Sequence, residues 1–539
     1  MEEKNKKTFV GGAALLGAAG LISKVLGACF RIPLANIIGD DGMGYYQTAY
    51  PIYIALLTIA TTGIPTAISR MVAERRAQGK YRESFRIYRC SLYLMSGIGL
   101  FTGLVMFIFA PQICRYIAEP GAVWCMYSLA PALVVCPVIS SIRGYFQGQR
   151  NMVPTAVSQV VEQIFRVMTG FALAMVFLKK GLEYSAAGAT GGASIGGALA
   201  LLYTAVAFWR KKRSITAEFE PETGGPKLKA GSIFKELLSI AVPITLGALI
   251  MPIINTMDTV IVKNRLISIG YAQDAARSMF GQLSGMASPI INMPDAVTAA
   301  VCMSLVPVIA DAKLRGDTDF VRKNTQLSVR YASLVGMPCA VGIFVLAQPI
   351  MLLFYPLQKE AAISAASCLA AYAPGVALLA IHQALSGVLQ GIGKQSIPVR
   401  NLFIGAVVKL IATYILCGIP EINVTGAAFG TVITYAISAL LNYISAKKHT
   451  GVKMDLMLCI VKPLFASAAM GLCAWGAYKL AFPHLGNAVS TLLSIAVAVV
   501  AYAVLVFLTK AITADDLRGV KKLEKLTILL DKAMPKGKM

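Results

Sequence analysis

The chain alternates long apolar runs with short polar, mostly basic, breaks. The apolar runs lie near 9–37, 45–73, 86–110, 121–144, 153–178, 186–209, 234–262, 279–310, 325–350, 362–389, 397–418, 424–446, 457–480 and 486–509. Each holds about 20 or more mostly apolar residues, enough for a helix to cross a ~30 Å hydrocarbon core. Lipid offers no partner to open backbone groups, so every run is expected to be helical. The pattern therefore predicts an all-α membrane protein with about fourteen transmembrane helices.

Composition supports this. The chain is 57% hydrophobic and 14% charged, where soluble proteins carry about 25% charged residues. Mean hydropathy is +0.67. The formal charge of +24 would suggest nucleic acid on a soluble protein, but here the basic residues sit in the breaks. They set topology and meet anionic membrane lipids; no nucleic acid is expected. The richest breaks are 74–89, 209–235 and the C-terminal tail, and most of the 50 Lys and Arg fall on one side once the N-terminus is put in the cytoplasm. An even number of spans then places both termini inside. Most of the eleven cysteines fall in apolar runs without CxxC or Cys/His metal spacing, so they read as small packing residues. The first apolar run has no small-residue cleavage site and reads as a retained helix.

The chain also repeats itself. Gly144-Tyr145-Phe146-Gln147-Gly148 resembles Gly387-Val388-Leu389-Gln390-Gly391, and each is followed by a proline, Pro154 or Pro398. Arg166 and Lys409 stand in the following spans at the same offset as Gln147 and Gln390. The expected layout is an N-lobe over 1–209, a cytoplasmic linker over 210–232 and a C-lobe over 233–446. Two further helices follow over 447–510, then a basic amphipathic tail over 511–539. Six spans per copy imply a pseudo-two-fold axis along the membrane normal. In the tail, Leu517, Val520, Leu523, Leu526 and Leu530 alternate with Lys521, Lys522, Lys525 and Lys532, a pattern suited to an anionic leaflet surface.

No phosphate-binding glycine loop and no His/Glu zinc motif occurs, and the three histidines lack ligand neighbours, so neither enzyme activity nor a metal or cofactor is expected. The informative residues are charges inside spans, which cost several kcal/mol unless they face water or a partner. Lys24 and Arg31 share one face of the first span. Glu162 and Arg166 are four apart in the fifth and can pair. Asp258, with Asn255 one turn earlier, lies in the seventh and is in reach of Lys263. Asp295 and Lys409 lie in the eighth and eleventh. Arg70 and Arg330 lie near span ends and are expected to snorkel. If Lys24, Arg31, Arg166 and Lys409 converge, they form a positive cavity that selects phosphate or pyrophosphate and repels cationic drugs.

Several runs resemble a known family. They are Ile22-Ser23-Lys24-Val25-Leu26-Gly27, Arg31-Ile32-Pro33-Leu34, Gly63-Ile64-Pro65-Thr66-Ala67-Ile68-Ser69 and Arg143-Gly144-Tyr145-Phe146-Gln147-Gly148. Together they are similar to the SpoVB-like and MurJ-like members of the multidrug/oligosaccharidyl-lipid/polysaccharide exporter superfamily. The resemblance implies two six-helix lobes in a V, alternating access, and a lipid-linked saccharide substrate such as a peptidoglycan precursor. It places the chain in a bacterial cytoplasmic membrane, with cell-wall synthesis enzymes as candidate partners. It also implies that Lys24 and Arg31 line the cavity. From the residues themselves, Glu162 is a further candidate substrate contact or one half of a structural pair with Arg166, and Gln147 and Gln390 are candidate contacts from the repeated motif. Asn255-Thr256-Met257-Asp258 resembles a sodium-binding pattern, but Lys409 stands where the family carries a carboxylate. The competing readings are a cation-coupled MATE-type drug antiporter and a non-transporting cell-wall scaffold.

Overall fold

The computed structural model describes residues 2–217, 229–509 and 511. Among these, regular structure is helical: α1 Glu2–Thr61, α2 Gly63–Ala77, α3 Tyr81–Tyr116, α4 Val123–Gly148, α5 Val153–Phe177, α6 Leu182–Ala217, α7 Ala230–Ser268, α8 Gln273–Gly281, α9 Ser288–Leu314, α10 Thr318–Val345, α11 Ala347–Phe354, α12 Lys359–Gly391, α13 Ser396–Leu416, α14 Thr425–Thr450 and α15 Lys462–Leu508. Eleven stretches among the described residues are long and apolar enough to cross a membrane.

Two of these stretches each absorb two predicted spans. Gly39 in α1 takes φ 68° and ψ −176°, and Gly486 in α15 takes φ 68° and ψ 177°. A positive φ is cheap only without a Cβ, so glycine breaks the helix at both points. The breaks fall between the first and second predicted runs and between the last two. Elsewhere the boundaries shift. The predicted linker over 210–232 is helical as far as Ala217 and again from Ala230, while 218–228 lie outside the described residues. The predicted run 279–310 begins earlier, in α8, and passes through a π-helical turn over Gln282–Ala287. The run 325–350 is divided into α10 and the short α11. The amphipathic tail lies outside the described residues, apart from Ala511.

By internal contacts the chain forms two compact units. The first holds the described residues up to Pro289 with Tyr355–Ala365 and Leu410–Ala427. The second holds Ile290–Phe354, Ala366–Lys409 and the described residues from Ala428 onward. Helices in lipid associate by close packing of small residues as much as by apolar burial, and the repeated motif supplies this. In the first unit a Cβ on Gly148 would stand 2.6 Å from Val72 Cγ1, so α4 lies directly on α2. In the second, a Cβ on Gly391 would stand 2.8 Å from Ile309 Cβ, so α12 lies on α9 in the same manner. Tyr145 beside Gly148 is fully buried and packs on Tyr88 with ring centroids 4.8 Å apart. The motif is therefore chiefly a helix-packing device.

Candidate functional site

In the first unit α4 and α5 bring three charges together. Glu162, on α5, accepts from Arg166 Nη2 at 3.1 Å, one helical turn away, as the four-residue spacing predicts. Its other oxygen accepts from Arg143 Nη2 at 3.0 Å, and Arg143 Nε donates to Ser158 Oγ at 2.8 Å. Arg143 belongs to the resemblance motif but carries no sequence signal for this partner, since it lies on another helix. The three side chains are 15–18% exposed, so the pairing is shielded but not sealed. One carboxylate serves two guanidinium groups, which leaves the cluster with net positive charge. Arg166 Nε is buried with no hydrogen-bond partner among the described residues.

Arg31, on α1, stands over the Tyr50 ring at 5.5 Å from its centroid. Tyr50 stacks on Tyr46 at 5.3 Å, and Tyr46 lies within the field of both Arg31 and Arg166. Such a cation–π contact holds a guanidinium without neutralising it. Lys24 is on the same helix, but its side chain lies outside the described ones. Gln147 is half-buried near the end of α4.

The remaining candidates divide between the units. Asn255 is exposed on α7, and its carbonyl accepts from Thr259 Oγ1. Asp258 is half-buried. Lys263, in reach of Asp258 along the helix, donates from Nζ to Glu119 Oε2 at 2.8 Å and to Thr48 Oγ1 at 2.6 Å. In the second unit Lys409 is buried on α13. Gln390 is exposed on α12 and lines a pocket with His382, Gln383 and Ser386. Arg330 does not snorkel. It is 3% exposed, and its Nε donates to the Ala511 carbonyl at 2.7 Å. Arg70 does remain in the open, paired with Glu74 at 2.8 Å.

A second polar cluster in the first unit was not visible in the sequence. A Cβ on Gly281 would lie 1.9 Å from the Asp40 carbonyl oxygen, so only glycine lets α8 approach α1. At this crossing Asp40 Oδ2 accepts from Ser278 Oγ at 2.5 Å and from Gln282 Nε2 at 2.8 Å. Arg277 donates to Asp41 at 3.2 Å and to Glu119 at 3.4 Å. Asp274, one turn earlier on α8, is a third carboxylate on Arg277 at 2.8 Å. No group of three or more His, Cys, Asp or Glu that could hold a metal occurs among the described residues.

Comparison with known proteins supplies the family. The model of the family "Polysaccharide biosynthesis protein" matches residues 9–313, and the MatE model matches 284–415. Stage V sporulation protein B of Bacillus subtilis is 28% identical over 533 residues, covering 97% of this chain and 99% of that protein. Lipid II flippase MurJ of Bacillus subtilis is 29% identical, covering 86% of this chain and 87% of that protein. Among solved structures, the inward closed conformation of lipid II flippase MurJ aligns with a TM-score of 0.66 at 16% identity, over 91% of this chain and 98% of that one. An inward-facing MATE family transporter aligns with a TM-score of 0.62 at 14% identity, over 80% and 94%. The chain is thus a multi-pass membrane protein of the MurJ/MATE fold that belongs to the polysaccharide biosynthesis protein family, a family of transporters and not of enzymes.

Proposed function

We propose that the protein is a flippase that moves a lipid-linked saccharide across the cytoplasmic membrane by alternating access, with the cations of the first unit receiving the substrate's pyrophosphate. The observation that carries this reading is the sharing of one carboxylate, Glu162, between Arg143 and Arg166, which leaves net positive charge at a half-open site. Arg31 over Tyr50 adds a second cation, held by a ring and without an ion-pair partner among the described residues. Guanidinium groups bind phosphate oxygens in bidentate fashion and retain their charge at any physiological pH. A cationic drug would meet repulsion here, which weighs against the MATE-type antiporter reading. The similarity to proteins named for lipid II flipping and for sporulation points to a cell-wall precursor as the substrate class.

In this reading the two breaks at Gly39 and Gly486 and the additional helix α9 bring the count to about fourteen crossings. Spans 1–6 and 7–12 form the two lobes, the last two stand outside the repeat, and both termini are cytoplasmic. Lys24 and Gln147 are further candidate contacts within the first unit, Lys409 and Gln390 are candidates within the second, and Asp258 with Asn255 is the candidate for ion coupling.

The test is flipping of a fluorescent polyisoprenyl-pyrophosphate saccharide in vesicles reconstituted with the full chain. Alanine at Arg31 together with Arg166→Gln should abolish flipping with thermal stability preserved. Flipping at the normal rate in that variant overturns the reading.

A further inference from the structure

A groove of about 620 Å³ runs between α5 and α6 on the flank of the first unit. Its walls are apolar: Val161 and Phe165 on α5, Leu202 and Val206 on α6, with Tyr203 between them. Phe165, Leu202 and Val206 are 37%, 60% and 40% exposed, so none of the described residues covers them. Val161 and Phe165 each precede a member of the Glu162–Arg166 pair by one residue, which turns them about 100° around the helix from it. The groove therefore presents a different face from the charged cluster.

One end of the groove is polar. Asn151, Arg210 and Lys211 line it there, and Lys212 and Arg213 follow in the sequence. Neither Arg210 nor Lys211 has a carboxylate partner among the described residues; Lys211 Nζ lies 5.9 Å from the centroid of the Phe146 ring. From Leu199 to Arg210 the helix rises about 17 Å, close to the depth of one leaflet of a ~30 Å core. An apolar slot one leaflet deep, closed at its interfacial end by cations that have no carboxylate partner among the described residues, is complementary to a lipid with an acyl chain and a negative headgroup.

We propose that this α5–α6 groove is a binding site for an anionic phospholipid of the inner leaflet, with the headgroup phosphate on Arg210 and Lys211 and one acyl chain along Leu202, Val206 and Phe165. The leaflet assignment rests on the orientation given above; the ligand chemistry does not. Binding here is separate from the Glu162 cluster, so it is measured without scoring transport, and failure of the flippase reading leaves it testable.

The full chain is reconstituted in phosphatidylcholine with a minor fraction of phosphatidylglycerol, extracted, and the lipid retained per protein counted by native mass spectrometry. The wild type should hold phosphatidylglycerol with at least a tenfold preference over phosphatidylcholine. The Arg210→Gln, Lys211→Gln double variant should lose that preference, and Leu202→Trp, which fills the slot, should lose retention of either lipid. All three positions are exposed, so the fold tolerates these changes. Undiminished phosphatidylglycerol retention by either variant overturns the proposal. So does displacement of phosphatidylglycerol from the wild type by a polyisoprenyl monophosphate whose own binding Leu202→Trp abolishes; that result assigns the groove to an isoprenoid chain.

Discussion

Lys263 on α7 and Glu119, between α3 and α4, form an ion pair of 2.8 Å in which both side chains are 2% exposed. The second carboxylate oxygen of Glu119 faces Arg277 Nη1 at 3.4 Å. A charge at that depth is tolerated only while its partner remains, and breaking one side of a buried pair costs about 3–5 kcal/mol. The two sides are not equivalent here. Lys263→Met leaves Glu119 with Arg277, whereas Glu119→Gln strips buried Lys263 of its carboxylate while Arg277 keeps Asp41 and Asp274. Glu119→Gln should therefore lower the thermal unfolding midpoint in detergent more than Lys263→Met. The double variant Glu119→Leu, Lys263→Met should recover part of the loss. Equal losses in the two single variants would show that Arg277 contributes nothing to Glu119.

The α1–α8 crossing gives a second prediction. The space a Cβ would need on Gly281 is occupied by the Asp40 backbone oxygen at 1.9 Å, which cannot yield as a flexible side chain can. Gly281→Ala should push the helices apart and lengthen the contacts of Asp40 with Ser278 and Gln282. The expected cost is about 1–3 kcal/mol, the usual scale of overpacking. A cysteine pair introduced at Asp40 and Ser278 should cross-link readily on the wild-type background and poorly with Gly281→Ala. Equal cross-linking in both would mean that the helices accommodate the methyl group.

Arg330 provides a third. Both its Nε and its Nη2 donate to the Ala511 carbonyl, so this buried guanidinium anchors the chain just beyond the end of α15. Arg330→Met keeps much of the volume and removes the donors. It should cost about 1.5–3 kcal/mol, the range for a charge-assisted hydrogen bond, read as a lower thermal unfolding midpoint in detergent. A midpoint equal to the wild type would assign the anchoring to other contacts.

The sequence carried the helices well because a membrane leaves the backbone few choices, and apolar run length alone locates most crossings. The Glu162–Arg166 pair was legible for a related reason: four-residue spacing on a helix fixes the geometry. What was not legible depends on contacts between distant segments. Lys263 finds Glu119, which lies 144 residues away in the chain. Arg330, expected to reach for the interface, instead meets a carbonyl 181 residues later. Arg143 stood inside a recognised motif, yet its role as second partner of Glu162 appears only once α4 and α5 are packed together.

That double partnership allows a sharper test of the site than deleting a cation. Glu162 offsets one of two guanidinium charges, so removing its charge has opposite effects on stability and on anion binding. Glu162→Gln leaves Arg143 and Arg166 without their shared carboxylate in a setting only 15–17% exposed, and the unfolding midpoint should fall. The same change removes a negative charge next to any bound phosphate, and both guanidinium forks become available to it. Affinity for a methylenebisphosphonate probe should then rise by about tenfold, equivalent to roughly 1.4 kcal/mol. Arg166→Gln should do the reverse, weakening the probe while leaving Glu162 satisfied by Arg143. Isothermal titration of the detergent-solubilised full chain, with unfolding midpoints taken on the same samples, separates the two quantities. A midpoint that falls in Glu162→Gln while probe affinity stays unchanged in both variants would reduce the cluster to a structural tie between α4 and α5, and the anion site would have to be sought at the other cations.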